Sequence, residues 1–112
     1  MSSGARWVIV VHGGAGAMRT MGSDKEEAYR AGLADAVRRG ADALARGGTA
    51  VEAAVVAVSA MESCGDFNAG HGSCLTTAGE VEVDAAVMNG ADLSYGAIAE
   101  VPGLANAVRL DE

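Results

Sequence analysis

The residues best suited to chemistry fall in two glycine-rich stretches, VHGGAGAM (11–18) and FNAGHGS (67–73). They hold the only two histidines, His12 and His71, with Asn68 three residues before the second. Cys64 and Cys74 flank the later stretch. An imidazole can act as base or metal ligand near neutral pH, and a thiol beside one can act as a nucleophile. Spacing specifies neither role here. No C-x-x-C or H-x-x-x-H pair marks a zinc site, and no third group orients a cysteine toward a histidine. A histidine among glycines is more often a hydrogen-bonded structural residue. Glu80, Glu82 and Asp84 alternate with apolar residues and read as the solvated face of a strand, not as an acid/base pair.

The first stretch invites three ligand readings, and the sequence departs from each. A dinucleotide fingerprint needs a third glycine where Arg19 stands after Gly14-x-Gly16. A P-loop needs Gly-Lys-Ser/Thr, which is absent. A His-Gly-Gly oxyanion loop of the esterase type needs a G-x-S-x-G elbow, also absent. The ordinary alternative is a glycine loop that turns the backbone sharply at a strand end. The second stretch belongs to a longer segment, MESCGDFNAGHGS (61–73), too long and too specific for a simple connection. Backbone carbonyls of a loop that curls back on itself can coordinate a hard cation with no carboxylate ligand.

These loops must be held by the elements around them. Trp7 to Val11 is an unbroken apolar, β-branched run, expected as a strand buried on both faces. Ser23 with Glu26 has capping-box spacing, and Tyr29, Leu33, Val37, Ala41 and Leu44 recur at helical spacing until Gly47-Gly48. Thr49 with Glu52 repeats the cap before AVEAAVVAVSAMES, a helix of nearly pure Ala and Val. The period then changes to two. SCLTT (73–77) is expected as a short strand, Ala78-Gly79 as a turn and 80–88 as the returning strand. Asn89-Gly90 is a further turn, 94–101 a strand, and Pro102 the start of a helix over 103–112. The order β-α-α-β-β-β-α with consecutive strands predicts an α+β fold.

Composition sets the outer limits. The chain has 112 residues, a formal charge of −7, and only one Trp, two Tyr and one Phe. That length supports one modest core but no second domain, and Ala, Gly and Val give little burial energy per residue at about 25 cal/mol for each Å². On these terms the chain is thin for an independent unit. The acid excess argues against nucleic acid, and Arg19, Lys25, Arg30, Arg38 and Arg39 are spread through the first helical region instead of forming a tract. No apolar run approaches the roughly 20 residues that cross a bilayer. The first six residues are too polar for a signal peptide. Two thiols without an export signal are expected free, which favours the cytoplasm.

Taken in order, VVHGGAGAM (10–18), GGTAVEAAVVAVSAMES (47–63), FNAGHGSCLTTAGEVEVDAAVMNG (67–90) and GAIAEVPGLANAV (96–108) resemble the plant-type asparaginase / isoaspartyl peptidase family of N-terminal nucleophile hydrolases. The resemblance runs from about Val8 to Val108. It implies part of an αββα sandwich, with 1–112 a single partial domain of the α chain. It implies a precursor that cleaves itself before a threonine, whose hydroxyl then attacks and whose free α-amino group is the base. The reaction implied is hydrolysis of the side-chain amide of asparagine or of the β-linked bond of isoaspartyl dipeptides, without an organic cofactor.

Carried onto this sequence, His12, Gly13 and Gly14 match the loop beside the nucleophile, and Asn68 is expected to face the site. The 61–71 loop matches one that holds a structural sodium ion through the main-chain oxygens of Met61, Glu62, Cys64, Phe67, Ala69 and His71. His71 fills a position usually apolar or small, which a backbone ligand tolerates, and Asn89 stands where Asp often appears. None of Thr20, Thr49, Thr76 and Thr77 has the family's Gly-Thr-Val-Gly setting. The nucleophile, the groups that hold the substrate's carboxylate and the oxyanion donors are therefore expected downstream, and this chain alone is expected to be inactive. Expected partners are its own β portion, asparagine or an isoaspartyl dipeptide, and a second αβ unit. Two rivals remain: a glycosylasparaginase or threonine endopeptidase of similar fold, and a truncated, non-catalytic binding or regulatory subunit.

Overall fold

The computed structural model describes residues 6–15, 22–102 and 106–111. Gly16 of the first glycine stretch, Arg19 and Thr20 after it, and residues 103–105 lie outside them. Two helices pack side by side, α1 (Ser23–Ala45) and α2 (Ala50–Cys64), followed by an antiparallel hairpin, β1 (Glu82–Met88) and β2 (Tyr95–Pro102). Short 3-10 helices occupy Gly70–Gly72 and Ala107–Asp111. The class is α+β, as expected.

Glycine chemistry ends α1. Gly47 sits at φ 88°, its N–H donates to Leu44 O at 3.0 Å, and Gly48 N–H donates to Ala43 O at 2.8 Å. This is the paired-bond Schellman stop, which needs a left-handed residue and satisfies two helix-end carbonyls. The next helix starts at once. Thr49 Oγ1 accepts from Glu52 N–H at 3.1 Å and Thr49 N–H donates to Glu52 Oε2 at 2.9 Å, the capping box read from the sequence. The other expected box does not form. Gly22 takes the cap position of α1, Ser23 is already helical, and Glu26 N–H donates to Gly22 O instead.

The helices meet through small residues. Ala36, Gly40 and Ala43 of α1 are buried opposite Ala53 and Ala57 of α2. The expected stripe of Tyr29, Leu33, Val37, Ala41 and Leu44 is only half-buried; it lies beside the closest approach, where larger side chains would hold the backbones apart. Arg30, Arg38 and Arg39 pair with Glu26 and Asp35 along the exposed side of α1.

Three expected elements are corrected. Trp7 to Val11 forms no strand among the described residues, because neither β1 nor β2 lies beside it to share a ladder. Its alternation survives. Ile9 and Val11 pack on the helical core while Val8 and Val10 stand 87% and 83% exposed, so the segment is covered on one face, not both. Ser73–Thr77 is not a strand either. Thr76 and Glu80 exchange one backbone bond and one side-chain bond around Gly79, at φ 80°, and regular pairing begins only at Glu82, with β2 as partner. Pro102 ends β2 instead of opening a helix, and the following described segment is the 3-10 turn Ala107–Asp111.

The hairpin follows its period. Val83 is buried and Ala85 and Val87 half-buried on one face, while Glu82 and Asp84 are exposed on the other, the solvated face expected of them. Asp84 Oδ1 accepts from Glu100 N–H at 2.8 Å where the register shifts between Val83 and Ala85. That carboxylate therefore holds a bulge in which Glu100 adopts φ 54°.

The close helix approach makes a sharp prediction. A methyl group on Gly40 would collide with Cδ1 of Ile9 and stand 3.2 Å from Ala53 O. Gly40→Val should cost about 1–3 kcal/mol by overpacking, read by thermal unfolding. Gly90→Ala, which meets nothing within 4 Å, should change stability by less than about 0.5 kcal/mol.

Candidate functional site

Cys64 ends α2, and Gly65, at φ 84°, turns the chain back over the helix end. The loop then closes on itself. Ala69 N–H donates to Phe67 O at 2.8 Å, Gly72 N–H to Ala69 O at 3.1 Å and Ser73 N–H to Gly70 O at 3.2 Å. A side chain at Gly72 would strike the carbonyls of Gly65 and Phe67, so only glycine permits this curl. Asn68 Oδ1 accepts from Cys74 N–H at 2.8 Å, tying the two sides of the loop together. With its oxygen committed, the Asn68 amide presents its NH₂ as the remaining donor. Asn68 and His71 are both exposed.

The curl delivers one aromatic side chain inward. Phe67, the only phenylalanine, is 3% exposed and joins Ala36, Ala57 and Met61 in the core. Tyr29 meets its ring edge to face at 5.2 Å and 76°, a favoured aromatic geometry. The first glycine stretch reaches the same ring. A methyl group on Gly13 would stand 3.0 Å from Phe67 Cε1 and 3.2 Å from Leu33 Cδ2. The backbone of the His-Gly-Gly segment therefore lies directly on the phenyl edge. Next to it, Gly14 is at φ 115° and its N–H donates to His12 Nδ1 at 3.1 Å. A neutral His12 that accepts through Nδ1 carries its proton on Nε2.

His12, Gly13 and Gly14 are thus brought beside the loop that carries Asn68 and His71. The thiols of Cys64 and Cys74 are free and exposed, and Cys64 Sγ donates to a carboxylate, Asp66 Oδ2, at 3.9 Å. No histidine orients either thiol for nucleophilic chemistry among the hydrogen bonds of the described residues. Within the same residues no cluster of three or more His, Cys, Asp or Glu side chains converges on a point. Thr49 Oγ1 and Thr76 Oγ1 are occupied as acceptors in a cap and a turn.

Sequence reasoning weighed Glu62 for its carbonyl and missed its side chain. Glu62 is 3% exposed, and its Oε2 accepts from Val108 N–H at 3.4 Å. Asn106 Nδ2 donates to Ser59 O at 3.3 Å and Ser63 Oγ at 3.1 Å. Together these bonds dock the Ala107–Asp111 turn on α2, and the turn in turn touches both hairpin strands. Burial raises the Glu62 carboxyl above its ordinary value of 4.5, against the opposing pull of the Val108, Asn106 and Ala107 hydrogen bonds and of Arg109. Among the described residues, Glu62 Oε1 and Ser59 Oγ are buried without a hydrogen-bond partner. One signal was available: a carboxylate near the end of a helix built mostly from Ala and Val.

A sequence profile of the family described as asparaginase matches residues 5–112. Isoaspartyl peptidase/L-asparaginase of Bos taurus is 46% identical over 103 residues, covering 92% of this chain and 33% of that protein. The protein of the same name from Danio rerio is 48% identical, at 92% and 32% coverage. Plant-type L-asparaginase of Pyrobaculum calidifontis is 47% identical over 102 residues, at 91% and 33% coverage. The chain spans about a third of the length of the curated relatives it matches.

The Glu62 contact carries a pH prediction. Its folded value is raised, so the stability it contributes is complete below the ordinary 4.5 and is lost as pH rises through the raised value. Glu62→Gln keeps an acceptor for Val108 N–H and stays neutral. It should be more stable than the parent at neutral pH and show a flatter slope of Tm against pH above 4.5. An unchanged slope would mean that the carboxyl titrates as it does in the unfolded chain.

Proposed function

The chain belongs to the asparaginase family, and from that premise we propose that it is the α-chain part of a hydrolase of β-aspartyl amides. Its substrates in this reading are L-asparagine and isoaspartyl dipeptides. The observation that carries the reading is the seat of Gly13 on the Phe67 ring, which joins the His-Gly-Gly segment and the Asn68 loop into one wall.

The reacting group comes from outside this chain. A threonine, freed at its N-terminus by self-cleavage, attacks the substrate's amide carbonyl through its hydroxyl. Its α-amino group takes the hydroxyl proton and returns it to the departing ammonia or amine. Water then cleaves the resulting ester, releases aspartate and restores the threonine. This chain contributes the wall beside that threonine. The Asn68 NH₂ donates into the site, oriented by the bond from Cys74 N–H to its oxygen. The backbone of Gly13 and Gly14 forms the adjoining surface, ordered by the bond to His12.

The four-layer sandwich completes the reading. Val8 and Val10 stand exposed above a groove of about 560 Å³ that Leu44, Ala54 and Val58 also line. That is the apolar face a second sheet would cover, and a dimer of αβ units is part of the same reading. The free thiols of Cys64 and Cys74 support a cytoplasmic setting. No helix among the described residues is long and apolar enough to cross a membrane.

The 61–71 loop fits a sodium ion held by the main-chain oxygens of Met61, Glu62, Cys64, Phe67, Ala69 and His71. The first three lie in the last turn of α2, where carbonyls lack intrahelical partners and no basic side chain is present. Neutral carbonyl oxygens suit a hard cation, which would stabilise the loop without joining the chemistry.

Ammonia release from asparagine tests the reading. The complete protein that carries this chain should turn over, and the 112-residue chain alone should not; turnover by the chain alone would place the nucleophile within it. A complete protein that self-cleaves yet releases no ammonia would favour a binding or regulatory subunit. Asn68→Asp keeps the acceptor for Cys74 N–H and removes the donor. It should lower kcat by roughly 100- to 1,000-fold, the scale of a lost oriented donor, with little change in Tm. Replacing sodium by choline should lower the Tm of the complete protein, and an unchanged Tm would argue against the ion.

A further inference from the structure

We propose that Phe67 is a positioning residue, whose buried ring sets how the His-Gly-Gly segment stands against the Asn68 loop. This rests on the hydrolase reading for its consequence in catalysis, but the contact itself is in the fold.

The ring is gripped on both edges by glycines from different parts of the chain. Its Cε1 and Cδ1 face Gly13, where an added methyl group would stand 3.0 and 3.5 Å away. Its Cε2 and Cζ face Gly32 of α1, where a methyl group would stand at 2.9 and 3.1 Å. Tyr29, one turn before Gly32, closes on the ring at 5.2 Å. Phe67 is adjacent in sequence to Asn68, so the ring and the active-site amide share one backbone unit. Any displacement of the ring toward Gly13 or away from it must move the first loop relative to the second. Close-packed interiors transmit such displacements instead of absorbing them.

Gly32 makes the idea testable at a distance. It lies in α1, outside both loops. A methyl group there lies below the 3.0 Å that real contacts respect, so Gly32→Ala pushes the ring toward Gly13. The same change also removes a helix-interior glycine, which favours the helix. A loss of function from this variant would therefore reflect ring position and not a melted helix. Phe67→Leu shortens the side chain and leaves room for either methyl group.

The experiment uses the complete protein that carries this chain, with Gly13→Ala, Gly32→Ala and Phe67→Leu singly, and each glycine variant combined with Phe67→Leu. Tm, self-cleavage rate, kcat and KM are measured for each. Gly32→Ala and Gly13→Ala should each lower kcat by roughly 10- to 100-fold, the scale of a misplaced reacting geometry. KM should change less than about threefold, since the groups that hold the substrate's charged ends lie elsewhere in this reading. Phe67→Leu alone should lower kcat by a similar factor, and adding either glycine change to it should lower kcat little further, with Tm shifts non-additive in the same sense, as for residues in contact. Additive Tm shifts would overturn the ring contact. Non-additive Tm shifts with unchanged kcat and self-cleavage would leave Phe67 a structural residue and overturn its positioning role. A parent protein that hydrolyses no asparagine would instead overturn the hydrolase reading, and the Tm cycle would still decide the contact.

Discussion

One buried phenyl ring holds this arrangement together. Phe67 is the only phenylalanine in a chain with very few aromatics, and it is the point where the helix pair, the His-Gly-Gly segment and the Asn68 loop converge. Truncating a buried Phe to Ala typically costs about 3–5 kcal/mol, a large share of the 5–15 kcal/mol that stabilises an ordinary domain. The glycines around the ring follow from its size. Gly13 and Gly32 are the positions where backbone must approach the phenyl edge, and a side chain at either would hold it off.

The rest of the core is built on the opposite principle. Ala36, Gly40, Ala43, Ala53 and Ala57 bring two helices close, but such side chains remove little apolar surface from water. What the helix pair lacks in burial is not made up by Trp7–Val11, which covers the core with Ile9 and Val11 and leaves Val8 and Val10 facing out. An exposed β-branched row of this kind is suited to contact with further protein. That agrees with a chain spanning about a third of its relatives, and with the proposal that a second sheet covers it. The hairpin meets α2 directly through β1 and more extensively through Ala107–Asp111, which the Glu62 carboxyl docks on the helix.

Local chemistry was the most legible part of the sequence. The Gly47-Gly48 stop, the Thr49–Glu52 box, the period-two face of β1 and the Asn89-Gly90 turn depend on neighbours in the chain, and all form. The two lost strands share a cause. Trp7–Val11 and Ser73–Thr77 have strand composition, but a strand exists only with a partner, and a residue pattern does not name one. Ser23 lost its cap because the helix began one residue early. In the site, the two glycine loops were visible as candidates and the family was legible from their order. Their contact was not, because the ring that joins them lies 54 positions after Gly13 in the numbering and carries no motif. Glu62 was missed for a similar reason: its partners, Val108 and the Asn106 amide, come from a distant segment.

A crystal structure of the complete protein with aspartate, the product of asparagine hydrolysis, tests the central claim most directly. The account predicts the product in a pocket lined by the Asn68 NH₂ and the backbone of Gly13 and Gly14, with the Phe67 ring still seated between Gly13 and Gly32. Product bound with the two loops facing away from it, or with the Phe67 ring out of the core, would contradict it.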